Sequence, residues 1–271
     1  MLTNSSSTAP QQQRQQFAEQ LYRALRQRAT IEPLTSQYPT LTIEDAYHIS
    51  LIALGLRKND GECIIGKKIG VTSKAVQNML GVHQPDFGFL TDWMQVEDGS
   101  DVSMAQHKLI QPRAEGEIAF ILAEDLTGPG ITAEDVLAAT AFVAPCFEIV
   151  DSRIQHWQIN IQDTVADNAS CGVFALGDAR IDPRDLDLAL VELTMLKNGE
   201  PAGQGFGSAV QGHPCEAVAW LANTLGEFGI PFRKDEIILS GALAPLVPVG
   251  AGDRISLNLS GLGNSSLRFI D

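Results

Sequence analysis

Two glutamates separated by one glycine lie in the clearest strand pattern of this chain, between Arg113 and Leu122. Side chains two positions apart in a strand project from the same face, so the carboxylates of Glu115 and Glu117 lie side by side. Gly116 between them lacks a side chain, which lets another group approach the backbone closely. Two adjacent carboxylates repel each other, and neither stays ionised in a folded interior without a cation.

A third carboxylate, Glu148, follows an apolar run that extends from Val136 to Phe147. Three oxygen ligands with no His or Cys beside them suit a hard ion such as Mg²⁺ or Mn²⁺, with coordination positions left for water or substrate. A solvated strand face that carries acids would show the same pattern. Spacing alone therefore leaves both interpretations open.

The charge composition of the chain restricts the kinds of molecule that it can bind. The 271 residues carry a formal net charge of −14, which argues against nucleic acid or an anionic membrane surface as a partner. An anionic substrate would need a local positive field, and a divalent metal with nearby Lys or Arg supplies one. Hydrophobic residues make up 44% of the chain, enough to bury a sizeable core.

The cysteine pattern and the N-terminal residues predict the cellular compartment of the protein. The four cysteines are scattered without a C-x-x-C pair, which indicates reduced thiols in a cytoplasmic enzyme. Residues 1–16 are rich in Ser, Thr and Gln and have no apolar core, so we expect a disordered tail and no signal peptide. No apolar run reaches the roughly 20 residues of a membrane span.

The fold class that the patterns predict is α+β, a mixed and mostly β core with few helices. Two helical patterns, the second opened by a capping box at Thr42, predict a helical appendage over residues 17–60. Residues 61–271 form the predicted β-rich core, which binds the metal and carries catalysis. Within the core, Pro145 is expected to break an apolar run, and a helix is predicted from Pro214 to Gly226.

Loops of the predicted core supply further candidate groups. Lys68 ends a strand and Asp86 lies in a Pro-Asp-Phe-Gly turn, positions typical of residues aimed into a cleft. Such a turn is also ordinary loop chemistry. Lys67 is expected to point to the opposite face from Lys68. The dense polar run 163–172 suits either a loop that cradles a ligand or a solvent-exposed loop.

Together these segments resemble the hydratase/decarboxylase branch of the fumarylacetoacetate hydrolase superfamily. The resemblance extends from about Phe17 to Ile270, nearly the whole chain. It rests on five segments, namely 66–73, 85–88, 113–117, 148–153 and 165–170. Within that branch, Lys67-Lys68-Ile69-Gly70 and Arg113-Ala114-Glu115-Gly116-Glu117-Ile118 look like the hydratases.

The resemblance implies a metal site and a fold. In the family, acids that correspond to Glu115, Glu117 and Glu148 hold Mg²⁺ or Mn²⁺. The implied fold is a mixed β-roll or β-sandwich with N-terminal helices beside it, usually in a homo-oligomer. Hydratases of this branch also associate with the 4-oxalocrotonate decarboxylase that precedes them, so the resemblance implies such a complex here.

The implied activity is the addition of water to 2-hydroxypenta-2,4-dienoate, giving 4-hydroxy-2-oxopentanoate in the meta-cleavage degradation of aromatic compounds. The reaction moves protons to and from carbon, and Lys68 and Asp86 are the candidates, with their division of roles left open. Ser170 would bind the substrate carboxylate or cap its loop. Arg113 would bind substrate or form a salt bridge to Asp151 or Asp163. Ser240 lies where related enzymes bring a backbone loop towards the ligand.

Two other functions compete with the hydratase. A decarboxylase of the same fold would cleave a carbon–carbon bond by the same stabilisation of an enolate. It would need a second cationic pocket for the far carboxylate of its substrate, whereas a pentadienoate ends in a bare CH₂. A non-catalytic partner of the decarboxylase would need neither the three glutamates nor Lys68 and Asp86, so these residues argue against it.

Overall fold

Two β-sheets and a group of helices make up the computed structural model, which describes residues 9–271. The α-helices are α1 (Gln11–Gln27), α2 (Leu34–Gln37), α3 (Ile43–Asn59), α4 (Lys74–Leu80), α5 (Ala133–Ala139), α6 (Ile161–Ala166) and α7 (Pro214–Gly226). The strands are β1 (Ile64–Gly70), β2 (Asp86–Thr91), β3 (Gln95–Val96), β4 (Asp101–Ser103), β5 (Arg113–Leu122), β6 (Thr140–Val150), β7 (Cys171–Leu176), β8 (Glu192–Lys197), β9 (Glu200–Phe206), β10 (Ile237–Leu239), β11 (Val247–Pro248), β12 (Arg254–Leu259) and β13 (Gly263–Ile270).

The larger sheet has the order β2-β1-β10-β5-β6-β7-β3, and β11 pairs with β5 beside this path. The smaller sheet has the order β4-β13-β12-β8-β9. Most neighbours are antiparallel, but β1 with β10, β3 with β7 and β4 with β13 are parallel. The sheets are therefore mixed, and the predicted α+β class is confirmed.

The two faces of the larger sheet have different partners. On β5, Gly116 faces the smaller sheet so closely that a β-carbon there would lie 2.8 Å from the side chain of Leu193. The opposite face of the larger sheet carries one apolar cluster, to which five strands contribute side chains. The sheet curls around this cluster. The buried members of this inner cluster are Leu90, Met94, Ala119, Cys146, Cys171, Phe174, Ile237 and Leu239.

The N-terminal helices pack on the main body of the chain. Phe17, Leu21 and Ile49 from α1 and α3 share a core with Val165 of α6. Thr42 caps α3 in the predicted capping box, accepting the backbone N–H of Asp45. The proposed domain boundary between residues 60 and 61 stays a prediction.

The predicted tail over residues 1–16 is too long. Helix α1 begins at Gln11, and Ala9 is buried with its N–H directed at the Asp45 carboxylate, 3.2 Å away. Gln and Arg are good helix formers, and the packing of Phe17 stabilises the turns before it. Residues 1–8 lie outside the described part of the chain.

Pro145 does not break the apolar run, because it lies inside β6 and pairs with Ile118 of β5. Its carbonyl accepts the N–H of Gly177, which follows the end of β7. Proline has no backbone N–H to donate. The ladder of hydrogen bonds between β6 and β7 has already ended beside Pro145, so the ladder loses no hydrogen bond there. The strand continues without interruption to Glu148.

Several local predictions are confirmed by the structure. Helix α7 runs from Pro214 to Gly226 as predicted, and Asn198 and Gly199 turn the β8–β9 hairpin with φ of +54° and +86°. Within residues 9–271, no helix is both long enough and apolar enough to cross a membrane.

Candidate metal centre

The three predicted metal ligands come together on the inner face of the larger sheet. Glu115 of β5 is paired directly with Glu148 of β6, and Glu117 lies two residues further along β5. One carboxylate oxygen from each residue lies within 4.8 Å of the others. We call this group the carboxylate cluster (Glu115, Glu117 and Glu148).

The carboxylate cluster has the unsatisfied oxygens that a metal site requires. Glu117 and Glu148 are fully buried. Among residues 9–271, no hydrogen bond satisfies Oε1 of Glu117 or either oxygen of Glu148, although the Lys68 ammonium group lies within ion-pair distance of Oε1 of Glu148. Buried polar atoms without partners are costly and rare. Because all the available ligand atoms are carboxylate oxygens, the cluster can hold a hard divalent cation such as Mg²⁺.

Without a cation, the pKa values of two acids in the cluster, Glu115 and Glu117, are raised. Burial, and then the charges of Glu148 and Glu115, raise the pKa of Glu117 well above the usual glutamate range. Burial and the charge of Glu148 likewise raise the pKa of Glu115. Cation binding at neutral pH is therefore expected to displace protons.

Lys68 projects from β1 towards the carboxylate cluster and is buried. Its Nζ lies 3.2 Å from Oε1 of Glu148 and donates a hydrogen bond of 3.0 Å to the carbonyl of Ala169. Burial lowers the pKa of Lys68, but the charges of Glu148, Asp86 and Glu115 outweigh burial and raise it overall. The side chain is therefore a fixed ammonium group beside the cluster.

Asp86 begins β2 directly opposite Gly70, the last residue of β1. A β-carbon at Gly70 would lie 2.3 Å from Oδ1 of Asp86 and 3.4 Å from Nζ of Lys68. The glycine thus leaves room for the carboxylate and the ammonium group to lie near each other. Burial, and to a smaller extent the charge of Glu148, raise the pKa of Asp86 to about 6 against the opposing charge of Lys68.

The carbonyl that holds Lys68 belongs to an unusual turn. Asn168, Ala169 and Ser170 have φ of +55°, +50° and +53°, a left-handed conformation that costs free energy in residues other than glycine. The amide of Asn168 accepts the N–H of Phe89 at 2.8 Å and donates to its carbonyl at 2.9 Å. The turn is thereby fastened to β2 and presents its carbonyl to Lys68.

A buried ion pair holds the other side of the turn. Nε of Arg153 lies 2.5 Å from Oδ1 of Asp167, and the same guanidinium donates to the backbone carbonyls of Asp151, Asp167 and Cys171. Asp167 also accepts the backbone N–H of Arg153 at 2.8 Å. This supporting role of Arg153, Asp167 and Asn168 was not predicted from the sequence. The only signal for it was the density of polar residues in 163–172.

The predicted substrate-binding residues take three different positions. Ser170 is buried, with its hydroxyl 3.1 Å from that of Thr164. Ser240 is buried, and no residue in the described range satisfies its hydroxyl, while the next N–H, that of Gly241, donates to Oε2 of Glu117 at 2.8 Å. Arg113 stacks on the ring of Trp157, with 4.4 Å between its guanidinium carbon and the ring centre.

Two alternatives from the sequence analysis are now decided. Arg113 does not pair with Asp151 or Asp163, since Asp151 accepts backbone N–H groups of the 110–111 segment and Asp163 accepts the backbone N–H and hydroxyl of Thr35. Lys67 points away from Lys68, as predicted, and forms an ion pair of 2.5 Å with Glu236.

The sequence that builds this centre matches the model of a known protein family. Residues 69–269 match the family model described as fumarylacetoacetate (FAA) hydrolase, C-terminal. The chain therefore belongs to the fumarylacetoacetate hydrolase family.

Relatives of known name make the similarity more specific. The chain is 66% identical over 253 residues to a 2-hydroxyhexa-2,4-dienoate hydratase of Comamonas testosteroni, covering 93% of this chain and 96% of the relative. It is 61% identical over 215 residues to a 2-hydroxypent-2,4-dienoate hydratase of Pseudomonas putida, covering 79% and 96%. The predicted resemblance to the hydratases is confirmed.

A solved structure shares the whole fold. The 4-oxalocrotonate decarboxylase from Pseudomonas putida G7, complexed with magnesium and adipate, superposes with a TM-score of 0.94 at 37% identity. The match covers 98% of this chain and 100% of the decarboxylase. The predicted fold is therefore confirmed, and the decarboxylase is a structural neighbour of lower identity than the hydratases.

Proposed function

We propose that this protein adds water to 2-hydroxypenta-2,4-dienoate, giving 4-hydroxy-2-oxopentanoate in the meta-cleavage degradation of aromatic compounds. The observation that carries the proposal is the convergence of Lys68 and Asp86 on the buried carboxylate cluster. The names of the relatives at 66% and 61% identity support the same reaction. The bound metal is Mg²⁺ or Mn²⁺, held by the carboxylate cluster.

The substrate offers a chelating pair, its C1 carboxylate and its C2 oxygen. When bound, the cation acts as a Lewis acid that stabilises negative charge on the C2 oxygen and orients the substrate. The protein must then move protons at the carbon atoms. C5 gains a proton as the C2 hydroxyl loses one, which gives a 2-oxo-3-enoate. Water subsequently adds its oxygen at C4 and a proton at C3.

Asp86 is our candidate for these proton transfers. Its Oδ1 is buried, and no residue of the described range satisfies it with a hydrogen bond. A pKa of about 6 populates both protonation states of Asp86 near neutral pH, which suits a group that gives and takes protons. Lys68 then serves as the fixed positive charge, which offsets the negative charge of substrate and enolate inside an acidic protein.

Three further residues are proposed to bind substrate. The unsatisfied hydroxyl of Ser240 and the buried hydroxyl of Ser170 can donate to substrate oxygens. Arg113 lies two residues before Glu115 and has no ion-pair partner among residues 9–271. Its stacking on Trp157 leaves its N–H groups able to bind an incoming carboxylate.

We further propose a homo-oligomer, a complex with the 4-oxalocrotonate decarboxylase and a cytoplasmic location. An unstable dienol favours direct transfer between the two enzymes. The four cysteines are unpaired and three of them are buried, which supports a reducing compartment.

The test is the ultraviolet absorbance of freshly prepared 2-hydroxypenta-2,4-dienoate with metal-stripped protein, before and after addition of Mg²⁺ or Mn²⁺. We expect the dienol band to disappear only with metal and 4-hydroxy-2-oxopentanoate to form. A persistent band together with CO₂ release from 4-oxalocrotonate would instead identify a decarboxylase. Inactivity towards both substrates would leave a non-catalytic partner protein.

A further inference from the structure

Helix α3 contacts β2, the strand that begins with Asp86, at both ends of the strand. Near the start of β2, the ring of Tyr47 stacks on that of Phe87, with 4.3 Å between the ring centres and 13° between the ring planes. Near the end of β2, the guanidinium of Arg57 donates a hydrogen bond of 3.1 Å to the hydroxyl of Thr91. The two helix residues are about 15 Å apart and the two strand residues about 13 Å apart, at the usual rise per residue of each element. The helix therefore lies alongside the strand.

The Arg57 contact belongs to a buried polar network. The hydroxyl of Thr91 donates to Oε2 of Glu62 at 2.6 Å, and Nε of Arg57 donates to the same oxygen at 2.8 Å. All three side chains are buried. Charge-assisted hydrogen bonds in a buried network hold their members in one arrangement. The network therefore fixes the C-terminal half of α3 to the end of β2.

The start of β2 depends on other contacts. The strand stands at one end of the larger sheet, and Asp86 pairs with the last residue of β1. The hydrogen bonds between Asn168 and the backbone of Phe89 lie further along the strand. The ring of Tyr47, in contrast, contacts Phe87, which directly follows Asp86. The stack therefore restrains the backbone from which the Asp86 side chain projects.

Tyr47 connects the N-terminal helices to this end of the strand. Its half-buried side chain packs against two apolar clusters, one that contains Phe87 and one that contains Ile49. Burial, and then the charge of Asp86, raise the pKa of Tyr47 well above the usual range, against the opposing effect of the Phe87 backbone N–H. The phenol therefore stays neutral near pH 7 and adds no charge beside Asp86.

We propose that Tyr47 is a positioning residue for Asp86, so that the N-terminal helices form part of the catalytic site. The stack on Phe87 holds the first residues of β2 and thereby fixes the carboxylate of Asp86 relative to the substrate carbons. The inference rests on the proposed function, because it takes Asp86 to transfer the protons. It gives an effect on the reaction to a helix outside residues 69–269, the segment that matches the family model.

The experiment compares Tyr47→Leu, which removes the stacked ring, with Tyr47→Phe, which keeps it. In the Mg²⁺-loaded protein, we expect kcat for 2-hydroxypenta-2,4-dienoate to fall about ten- to hundredfold in Tyr47→Leu, with KM changed by less than about twofold. Tyr47→Phe should retain at least about a third of the wild-type kcat, because the ring pair is kept. In an Asp86→Asn background, Tyr47→Leu should lower kcat by less than about twofold, because Tyr47 acts through Asp86.

A second readout needs neither metal nor substrate. Hydrogen exchange of the backbone N–H groups of residues 86–88 is measured by mass spectrometry in the metal-free protein. Exchange there should be at least about tenfold faster in Tyr47→Leu than in the wild type, and unchanged in Tyr47→Phe. Phe87→Leu removes the same stack from the strand and should show the same changes as Tyr47→Leu, so it provides the test if Tyr47→Leu does not fold.

Ile49→Val is the matched control, because Ile49 is a fully buried residue of the same helix. Loss of one buried methylene there lowers stability to an extent similar to the loss of one aromatic pair. Its kcat and its exchange at residues 86–88 should equal those of the wild type.

Four results would each overturn the inference. They are an unchanged kcat in Tyr47→Leu, an equal loss of kcat in Tyr47→Phe, an equal loss in Ile49→Val, and unchanged exchange at residues 86–88 in Tyr47→Leu. If the wild type still hydrates the dienoate, each of these results leaves the proposed function standing. An inactive wild type would overturn the proposed function and the inference with it.

Discussion

Glu115 lies directly opposite Glu148 across the antiparallel pair β5–β6, near the middle of the larger sheet. Like charges in directly opposed positions destabilise a sheet, and burial of Glu148 removes the screening that water would provide. A neutral residue in place of Glu115 would relieve this repulsion, whereas Glu148 also pairs with the ammonium group of Lys68 at 3.2 Å. The arrangement is therefore explained by what the pair binds.

Replacement of Glu117 by Gln should separate metal binding from folding. Because its raised pKa favours a protonated, neutral Glu117 in metal-free protein, Gln is a close mimic and can still accept the N–H of Gly241. We expect an unchanged melting temperature in chelator, an Mg²⁺ affinity at least about a hundredfold lower and loss of activity. Calorimetry and thermal melts with and without Mg²⁺ measure these effects.

The control for this variant is Glu134→Gln, an exposed change in the first turn of α5, which should match the wild type. Full Mg²⁺ stabilisation in Glu117→Gln would contradict the ligand assignment.

Replacement of Gly70 by Ala should reduce activity much more than stability. The added β-carbon would lie 2.3 Å from Oδ1 of Asp86, and the end of that side chain can move while the backbone stays in place. We expect a fall in kcat of about tenfold or more with little change in melting temperature. In Gly55→Ala, the control, the new β-carbon lies in open space within α3, so stability should rise by about 0.5–1 kcal/mol with unchanged kcat. Equal kcat in Gly70→Ala and wild type would show that the position of Asp86 is not critical.

Asp86→Asn should change how stability depends on pH in the metal-free protein. The folded-state pKa of Asp86, about 6, lies above its ordinary value of 3.8. The folded state therefore binds the proton more tightly, and this contribution to stability is complete below pH 3.8 and lost as pH rises through 6. Asn cannot ionise, so its stability relative to the wild type should increase by about 1.3 kcal/mol between pH 5 and pH 7, and by about 3 kcal/mol between pH 3 and pH 7. Urea unfolding across this range measures the difference. A constant difference would show that Asp86 titrates normally.

Arg153→Met should destabilise the turn that holds Lys68. It leaves Asp167 buried without its ion-pair partner, and three backbone carbonyls lose a donor. We expect a loss of about 3–5 kcal/mol in the free energy of unfolding, measured by urea denaturation. Because the two residues are in contact, adding Asp167→Asn should restore part of the loss. Additive losses in the double variant would show that the two side chains act independently.

The metal ligands could be predicted because the information is local. Strand alternation places Glu115 and Glu117 on one face whatever surrounds them. Helix α7 was equally predictable, since Pro214 and Gly226 mark its ends. Glu148 was a third candidate from the sequence, and the family resemblance implied its metal-binding role, because no spacing rule supplies its distance from residues on a different strand.

The support of the site could not be predicted in the same way. Two contacts join segments that meet only because the sheet curls. They are the ion pair of Arg153 with Asp167 and the hydrogen bond from Phe89 to the side chain of Asn168. The same holds for Pro145, which remains in β6 only because β7 ends beside it. Each of these features depends on which strands lie next to each other in the folded sheet.

By itself, the sequence determined which side chains share a strand face, where capped helices begin and end, and which family the chain resembles, because these depend on residues close together in the chain. Only the tertiary structure decided the opposition of Glu115 to Glu148, the burial that raises the pKa of Asp86 and the hydrogen bond from Lys68 to the carbonyl of Ala169. Those properties depend on distance and burial, which arise when strands far apart in sequence become neighbours and water is excluded between them.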